Sequence, residues 1–174
     1  LSELIENMNL NQFIKEGGLV GNNLDAFIKT YLHSTTHLHH PGYLSHQVAV
    51  PHESGSQAAL IDAYINNPMA IYEMGPSAAA IEYFIINLFL ERIGWTPAPM
   101  DLSKYGRSFH GGGVLTDGGS LANLTGLIAA RSHKVPDVWN SGNPNNLAVI
   151  VPAASHYSNK RAAGILGIGG NSVY

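Results

Sequence analysis

The chain contains no cysteine, which excludes disulfides and thiolate metal sites and leaves the redox compartment open. Charge is scarce as well. Only 12% of the residues are Asp, Glu, Lys or Arg, against 45% that are hydrophobic. Ordinary globular chains carry about 25% charged residues. The deficit implies that part of this surface is covered, by more polypeptide, by a second subunit, or by both. The net charge of −3 argues against nucleic acid as a partner. No apolar run approaches the length of a membrane span, so no membrane partner is expected. No charged segment followed by an apolar stretch opens the chain, and the expected location is cytoplasmic. Internal repeats and low-complexity tracts are absent.

What is present divides into helical patterns and turn-rich connections. Leu4, Ile5 and Met8, then Phe13 and Ile14, suggest an N-terminal helix that becomes uncertain after Asn9. Asn23 is placed to cap a helix from Leu24 to about His33, with Leu24, Phe27, Ile28, Tyr31 and Leu32 on one stripe. Residues 34–53 read as loop, and Ser56 to Asn66 as helix. Pro76 opens a further helix, with Ile81, Phe84, Ile85, Leu88 and Phe89 as its apolar stripe and Gly94 as its end. Residues 96–112 and 132–146 read as long connections.

The most informative stretch is Gly111 to Asn123. A short apolar strand over 113–116 leads into Gly118-Gly119-Ser120 and then a helix, with positions 124, 127, 128 and 131 on one face. Glycines let a ligand approach the backbone, and the N–H groups at a helix start favour an anion such as phosphate. Taken alone, this turn reads as an ordinary strand–turn–helix corner. A second strand, Leu147 to Pro152, is followed by Ser155-His156-Tyr157-Ser158 and another helix. In open α/β sheets, ligands sit beyond the carboxyl ends of parallel strands. Both the Gly-Gly-Ser turn and His156 would stand at such ends, although a single histidine there is more often structural than catalytic. A third strand would begin near Ser172.

These segments, with His40-Pro41-Gly42-Tyr43 and Tyr72-Glu73-Met74-Gly75-Pro76 followed by Glu82, resemble the N-terminal portion of group II pyridoxal-phosphate-dependent amino-acid decarboxylases. The resemblance runs from about residue 30 to the C-terminus. Its wording is most similar to the glutamate and cysteine sulfinate branch. It implies an α/β architecture, the aminotransferase-like fold type I, with a mainly parallel sheet and flanking helices. Residues 1–53 would form an N-terminal helical and loop segment making dimer and pocket-mouth contacts. Residues 54–174 would form the first part of the large cofactor domain.

The resemblance also implies roles. Gly118, Gly119 and Ser120 match the turn that binds the phosphate of pyridoxal 5'-phosphate. His156 matches the histidine that stacks on the pyridine ring and assists catalysis. Tyr43, His46 and Gln47 match the segment lining the substrate pocket. His46 stands where the glutamate branch has a substrate-facing glutamine, a departure from that branch. The family's Schiff-base lysine and the aspartate that pairs with the pyridine nitrogen lie beyond the histidine. Lys15, Lys29, Lys104, Lys134 and Lys160 lack the lysine's motif.

The expectation is therefore the N-terminal part of a homodimeric carboxy-lyase acting on an α-amino acid, glutamate or a related acidic one being the candidate. The 174 residues alone should decarboxylate nothing efficiently. Aldehyde-forming or transaminating relatives would carry the same motifs. The competing expectation is a non-catalytic truncated paralogue, or a separate subunit that assembles with a lysine-bearing partner; a phosphate-binding module without pyridoxal chemistry is weaker.

Two other clusters invite a chemical reading. His33 and His37 have the spacing of a helical metal pair, but Thr35, Thr36 and Pro41 oppose a continued helix. No metal site is expected there. Glu73 and Glu82 could be an acid–base pair, but both flank a helix start, where carboxylates are favourable for structural reasons.

Overall fold

The computed structural model describes residues 2–15, 18, 20–45, 48–104 and 109–174. They fall into two compact units, one ending at Asn66 and one spanning Asn67–Tyr174. The division follows a helix.

In the first unit, α1 (Ser2–Met8) and α2 (Leu10–Lys15) are separated at Asn9, whose φ of 51° breaks the helical path. The long α3 spans Gly21–Ser34. It starts earlier than the sequence suggests, with Val20 as its cap, so Asn23 lies in the first turn instead of capping it. Phe13 is buried and meets Phe27 edge-on at 5.9 Å, and Phe27 stacks on Tyr31. Leu24, Ile28, Tyr31 and Leu32 remain largely exposed. Beyond it, α4 (Glu53–Ile65) is capped by the His52 ring, which accepts from the Ser54 N–H. It ends at Asn66 in the left-handed region.

The second unit is built on α5 (Pro76–Arg92), α6 (Gly119–Lys134), the short α7 (Val138–Ser141) and α8 (Ser158–Ile165). Pro76 occupies the first turn of α5, where its missing N–H costs nothing. Gly94, at φ 79°, turns the chain so that the Trp95 N–H reaches the Leu90 carbonyl at 2.8 Å.

The buried line of α5 is not the expected stripe. Asn87 and Leu90 are buried, Tyr83 and Ile86 are half-buried, and Ile81, Phe84, Leu88 and Phe89 are exposed. The helix is apolar on several faces, so periodicity cannot choose among them. The choice is made by residues 95–100, with Gly111 and Gly113, which lie along one side of the helix. Asn87 holds both polar groups of the Ala98 backbone, and the Tyr83 hydroxyl donates to the Pro99 carbonyl at 2.6 Å.

Helices α6 and α8 pack through small side chains. Ala162 and Ala163 are buried on α8, with Ser158 one turn before Ala162. Residues 132–146 are less of a connection than the sequence suggests, because α6 continues to Lys134 and α7 follows. Val138 of α7 is buried.

Among the described residues, one parallel bridge, Val149 to Val173, is the whole of the sheet. Val149 N–H donates to the Ser172 carbonyl, Tyr174 N–H to Val149, and Val151 N–H to Tyr174, at 2.8–2.9 Å. The 113–116 segment has no ladder partner among the described residues and is held by α5 instead. Also among these residues, no helix is long and apolar enough to cross a membrane.

Candidate functional site

The site is assembled where α6 and α8 begin. Gly118 precedes α6 at φ 84°, ψ 161°, a conformation that side chains rarely adopt. The Gly118 N–H closes a tight turn onto the Thr116 carbonyl at 2.9 Å. Space is open where a Cβ would sit on either Gly118 or Gly119. The first helical bond runs from the Ala122 N–H to the Gly118 carbonyl. Helical geometry therefore leaves the N–H groups of Gly119, Ser120 and Leu121 without intrahelical acceptors. No side chain caps this end. Open backbone, outward N–H groups and the positive end of the helix fit a phosphate.

His156 follows the Val149–Val151 ladder. The chain turns at 152–155, with Ser155 N–H donating to the Pro152 carbonyl, and presents His156 just before α8. The ring is exposed and lies 4.2 Å from the Tyr157 ring, centroid to centroid. Its Nδ1 is 2.8 Å from the Ser158 Oγ and 3.3 Å from the Ser158 backbone N. The Ser158 Oγ in turn accepts from Asn123 Nδ2 of α6 at 2.8 Å. Ser158 is only 2% exposed, so water cannot replace these partners.

A cavity of about 260 Å³ lies between the two helix starts. Asp117, Ser120, Leu121, Ser158 and Arg161 are among its lining residues. Ser120 and the serine that holds His156 thus share one space. Arg161 brings a guanidinium, whose Cζ sits 4.8 Å above the Tyr157 ring, and Asp117 brings a carboxylate to the same wall. No lysine lines this cavity among the described residues. Lys160 is exposed, its aliphatic stem lying along Gly170.

Of the residues that sequence reasoning singled out, Ser120 lines this cavity, Gly118 and Gly119 form the turn that leads to it, and His156 is joined to it only through Ser158. Sequence reasoning missed three contributors. Asn123 and Ser158 were inside the recognised motifs but carried no assigned role; Arg161 follows on the same helix as Ser158. Tyr43 is half-buried in the first unit, its N–H donating to the His40 carbonyl at 2.9 Å. His46 and Gln47 lie outside the described residues.

The remaining candidates resolve into structural roles. Helix α3 stops at Ser34, so His33 and His37 do not share a helix, and His37 Nε2 pairs with the Leu32 carbonyl at 2.7 Å. Among the described residues, no three metal-capable side chains group together. Glu82 Oε1 accepts the Leu115 N–H at 2.8 Å, while Glu73 sits in a 3₁₀ turn over Tyr72–Met74.

Comparison with known proteins identifies the family. The chain is 31% identical over 134 residues to a glutamate decarboxylase-like protein of Gibberella zeae, covering 76% of this chain and 24% of that one. It is 27% identical to the acidic amino acid decarboxylase of Mus musculus, covering 82% and 24% respectively. The chain therefore spans about a quarter of the length of these curated relatives. Its backbone superimposes on the crystal structure of mouse CSAD with a TM-score of 0.78 at 22% identity, over 99% of this chain and 34% of that one. Residues 19–173 match the pyridoxal-dependent decarboxylase conserved domain, whose cofactor is pyridoxal 5'-phosphate, and the chain belongs to that family.

Proposed function

We propose that this chain supplies the phosphate seat and the ring-facing histidine of a pyridoxal-phosphate-dependent carboxy-lyase. Its substrate is an α-amino acid, glutamate or a related acidic one. The observation that carries the proposal is the shared cavity: Ser120, at the start of α6, and Ser158, bonded to His156, line the same space. The names of the relatives, glutamate decarboxylase-like and acidic amino acid decarboxylase, support the substrate class.

When bound, the pyridoxal ring supplies the electron sink needed to break a carbon–carboxylate bond. The rest is the work of this chain's residues. The N–H groups of Gly119, Ser120 and Leu121 and the Ser120 hydroxyl hold the phosphate, and Gly118 and Gly119 keep the approach open. His156 presents an aromatic face for stacking and a ring nitrogen for holding a proton. Tyr43, His46 and Gln47 contribute to the substrate pocket.

The wider reading follows the same family pattern. The Val149–Val173 pair belongs to a mainly parallel sheet flanked by helices, as in fold type I enzymes. Residues 1–53 serve dimer and pocket-mouth contacts, and 54–174 the first part of the cofactor domain, in a cytoplasmic homodimer. Exposed Ile81, Phe84 and Phe89 on α5 are consistent with a covered surface. One observation favours the alternative of a non-catalytic chain that assembles with a lysine-bearing partner: no lysine lines the cavity among the described residues.

The test is titration of the protein with pyridoxal 5'-phosphate, followed by absorbance. Ser120→Ala is expected to weaken binding by about 1.5–3 kcal/mol, the worth of a hydrogen bond to a charged group. Unchanged affinity in that variant would remove the phosphate seat from this turn.

A further inference from the structure

We propose that Ser158 and Asn123 are positioning residues that fix the tautomer of His156, keeping Nδ1 an acceptor so that Nε2–H is the group turned toward the substrate. The assignment of Nδ1 follows from the three contacts alone; its use in catalysis rests on the function proposed above.

The Ser158 backbone N–H has no choice of role. A backbone N–H can only donate, and the Ser158 N–H points at His156 Nδ1 from 3.3 Å. A proton on Nδ1 would set two donors against each other. The Ser158 hydroxyl does have a choice, since it holds one proton and can accept twice. Asn123 Nδ2 donates to it at 2.8 Å, which occupies an acceptor position and directs the hydroxyl proton elsewhere. The direction available is His156 Nδ1, at 2.8 Å. Nδ1 thus receives two donors, and the neutral ring carries its proton on Nε2.

Burial makes the relay selective. With Ser158 2% exposed, a reversed hydroxyl would leave a donor without its acceptor, at a cost that water cannot offset. The neighbouring charged groups do not compete for Nδ1. Arg161 is engaged with the Tyr157 ring, the Tyr157 ring packs beside the imidazole, and Asp117 stands on the wall of the cavity that Ser158 lines. Asn123 lies on α6 one turn after Ser120, so the element that seats the phosphate also sets the tautomer of the histidine. The two sequence motifs are coupled by this one amide.

The experiment uses protein labelled with ¹⁵N at histidine and long-range proton–nitrogen correlation at pH 8, above the ordinary histidine pKa of about 6.5. His156 is assigned by the signal missing in His156→Phe. The expected pattern is the Nε2–H tautomer. In Asn123→Asp, which keeps the shape, the carboxylate accepts the Ser158 hydroxyl proton. The hydroxyl then offers a lone pair to the ring, and an Nδ1–H population becomes resolvable. Ser158→Ala, which removes the hydroxyl, is expected to give a mixture of tautomers. An Nδ1–H ring in the unmodified protein overturns the proposal, as does an Nε2–H pattern unchanged in both variants. Pyridoxal phosphate titration of the same samples is read separately. Failure to bind removes the cofactor reading and leaves the tautomer assignment standing.

Discussion

Asn87 illustrates how one polar residue can decide the packing of an apolar helix. It is 8% exposed and lies among the apolar residues of α5. Its Oδ1 accepts the Ala98 N–H at 2.9 Å and its Nδ2 donates to the Ala98 carbonyl at 3.0 Å. The pair copies what a neighbouring strand would give Ala98, and it lets the connection between Pro97 and Pro99 be buried without orphaned polar groups. Asn87→Ala is expected to destabilise the protein by about 2–6 kcal/mol, since it leaves two buried groups unpaired and each costs about 1–3 kcal/mol. Asn87→Asp keeps the acceptor but sets a carboxylate against the Ala98 carbonyl, and should also destabilise at neutral pH. Urea midpoints of the three proteins check this; a midpoint unchanged in Asn87→Ala refutes it. The exposed Asp101 contrasts with Asn87. Bonds from the Ser103 hydroxyl and then the Ser103 N–H hold its carboxyl below the ordinary carboxylate range, with Lys104 a lesser contributor. The small stability linked to it is present above the ordinary carboxylate pKa and is lost as pH falls through the lowered one.

At the scale of elements, α5 acts as the platform that aims the phosphate turn. Its second half clamps the 95–100 stretch through Tyr83, Asn87 and Leu90, and Gly111 and Gly113 pass close to it. A Cβ on Gly111 would lie 2.6 Å from Leu90 Cδ2, and one on Gly113 would lie 3.2 Å from the Ile86 side chain. Glu82 then takes the Leu115 N–H, the last fixed point before Thr116 and the turn. Glu82→Ala is expected to speed hydrogen exchange at Leu115 by roughly tenfold, the lower end of a hydrogen bond to a charged group. Exchange at Ala98, held by Asn87, should not move. Equal change at both amides would mean that the helix, not the carboxylate, had been disturbed. The ends of this platform were legible in the sequence because Pro76 and Gly94 act through their own backbones. Its buried face was not legible, because Ile81, Phe84 and Phe89 are as apolar as Leu90 and only the distant Ala98 segment selects the side that is covered. Helix α7 escaped notice for a related reason: a four-residue helix has too few positions to show a period, and its anchor is the burial of Val138.

Across the whole molecule, the local signals outran the non-local ones. Gly118-Gly119-Ser120 and His156 could be recognised from short motifs, whereas the link between them, through Ser120 and Ser158 on one cavity, could not. The Asn123–Ser158 contact joins residues far apart in sequence, and no periodicity announces such a pair. The sheet is the extreme case, since a parallel strand is defined by partners elsewhere in the chain, and among the described residues only Val149 and Val173 find each other. Ile150, beside that pair, is 87% exposed. The cavity between α6 and α8 has the two serines, one of them bonded to His156, and its wall carries Arg161 but no lysine among the described residues. Such a site can hold an anion and a ring, but it has no amine with which to hold an aldehyde covalently. We therefore expect the 174-residue chain to bind pyridoxal 5'-phosphate reversibly through its phosphate. Borohydride treatment followed by intact-mass measurement should trap no stoichiometric adduct on Lys15, Lys29, Lys104, Lys134 or Lys160. Inorganic phosphate should compete, and Ser120→Ala should weaken both ligands together. A stoichiometric adduct on one of those lysines, formed while the chain is folded, would overturn this division of labour and require a lysine to reach the cavity.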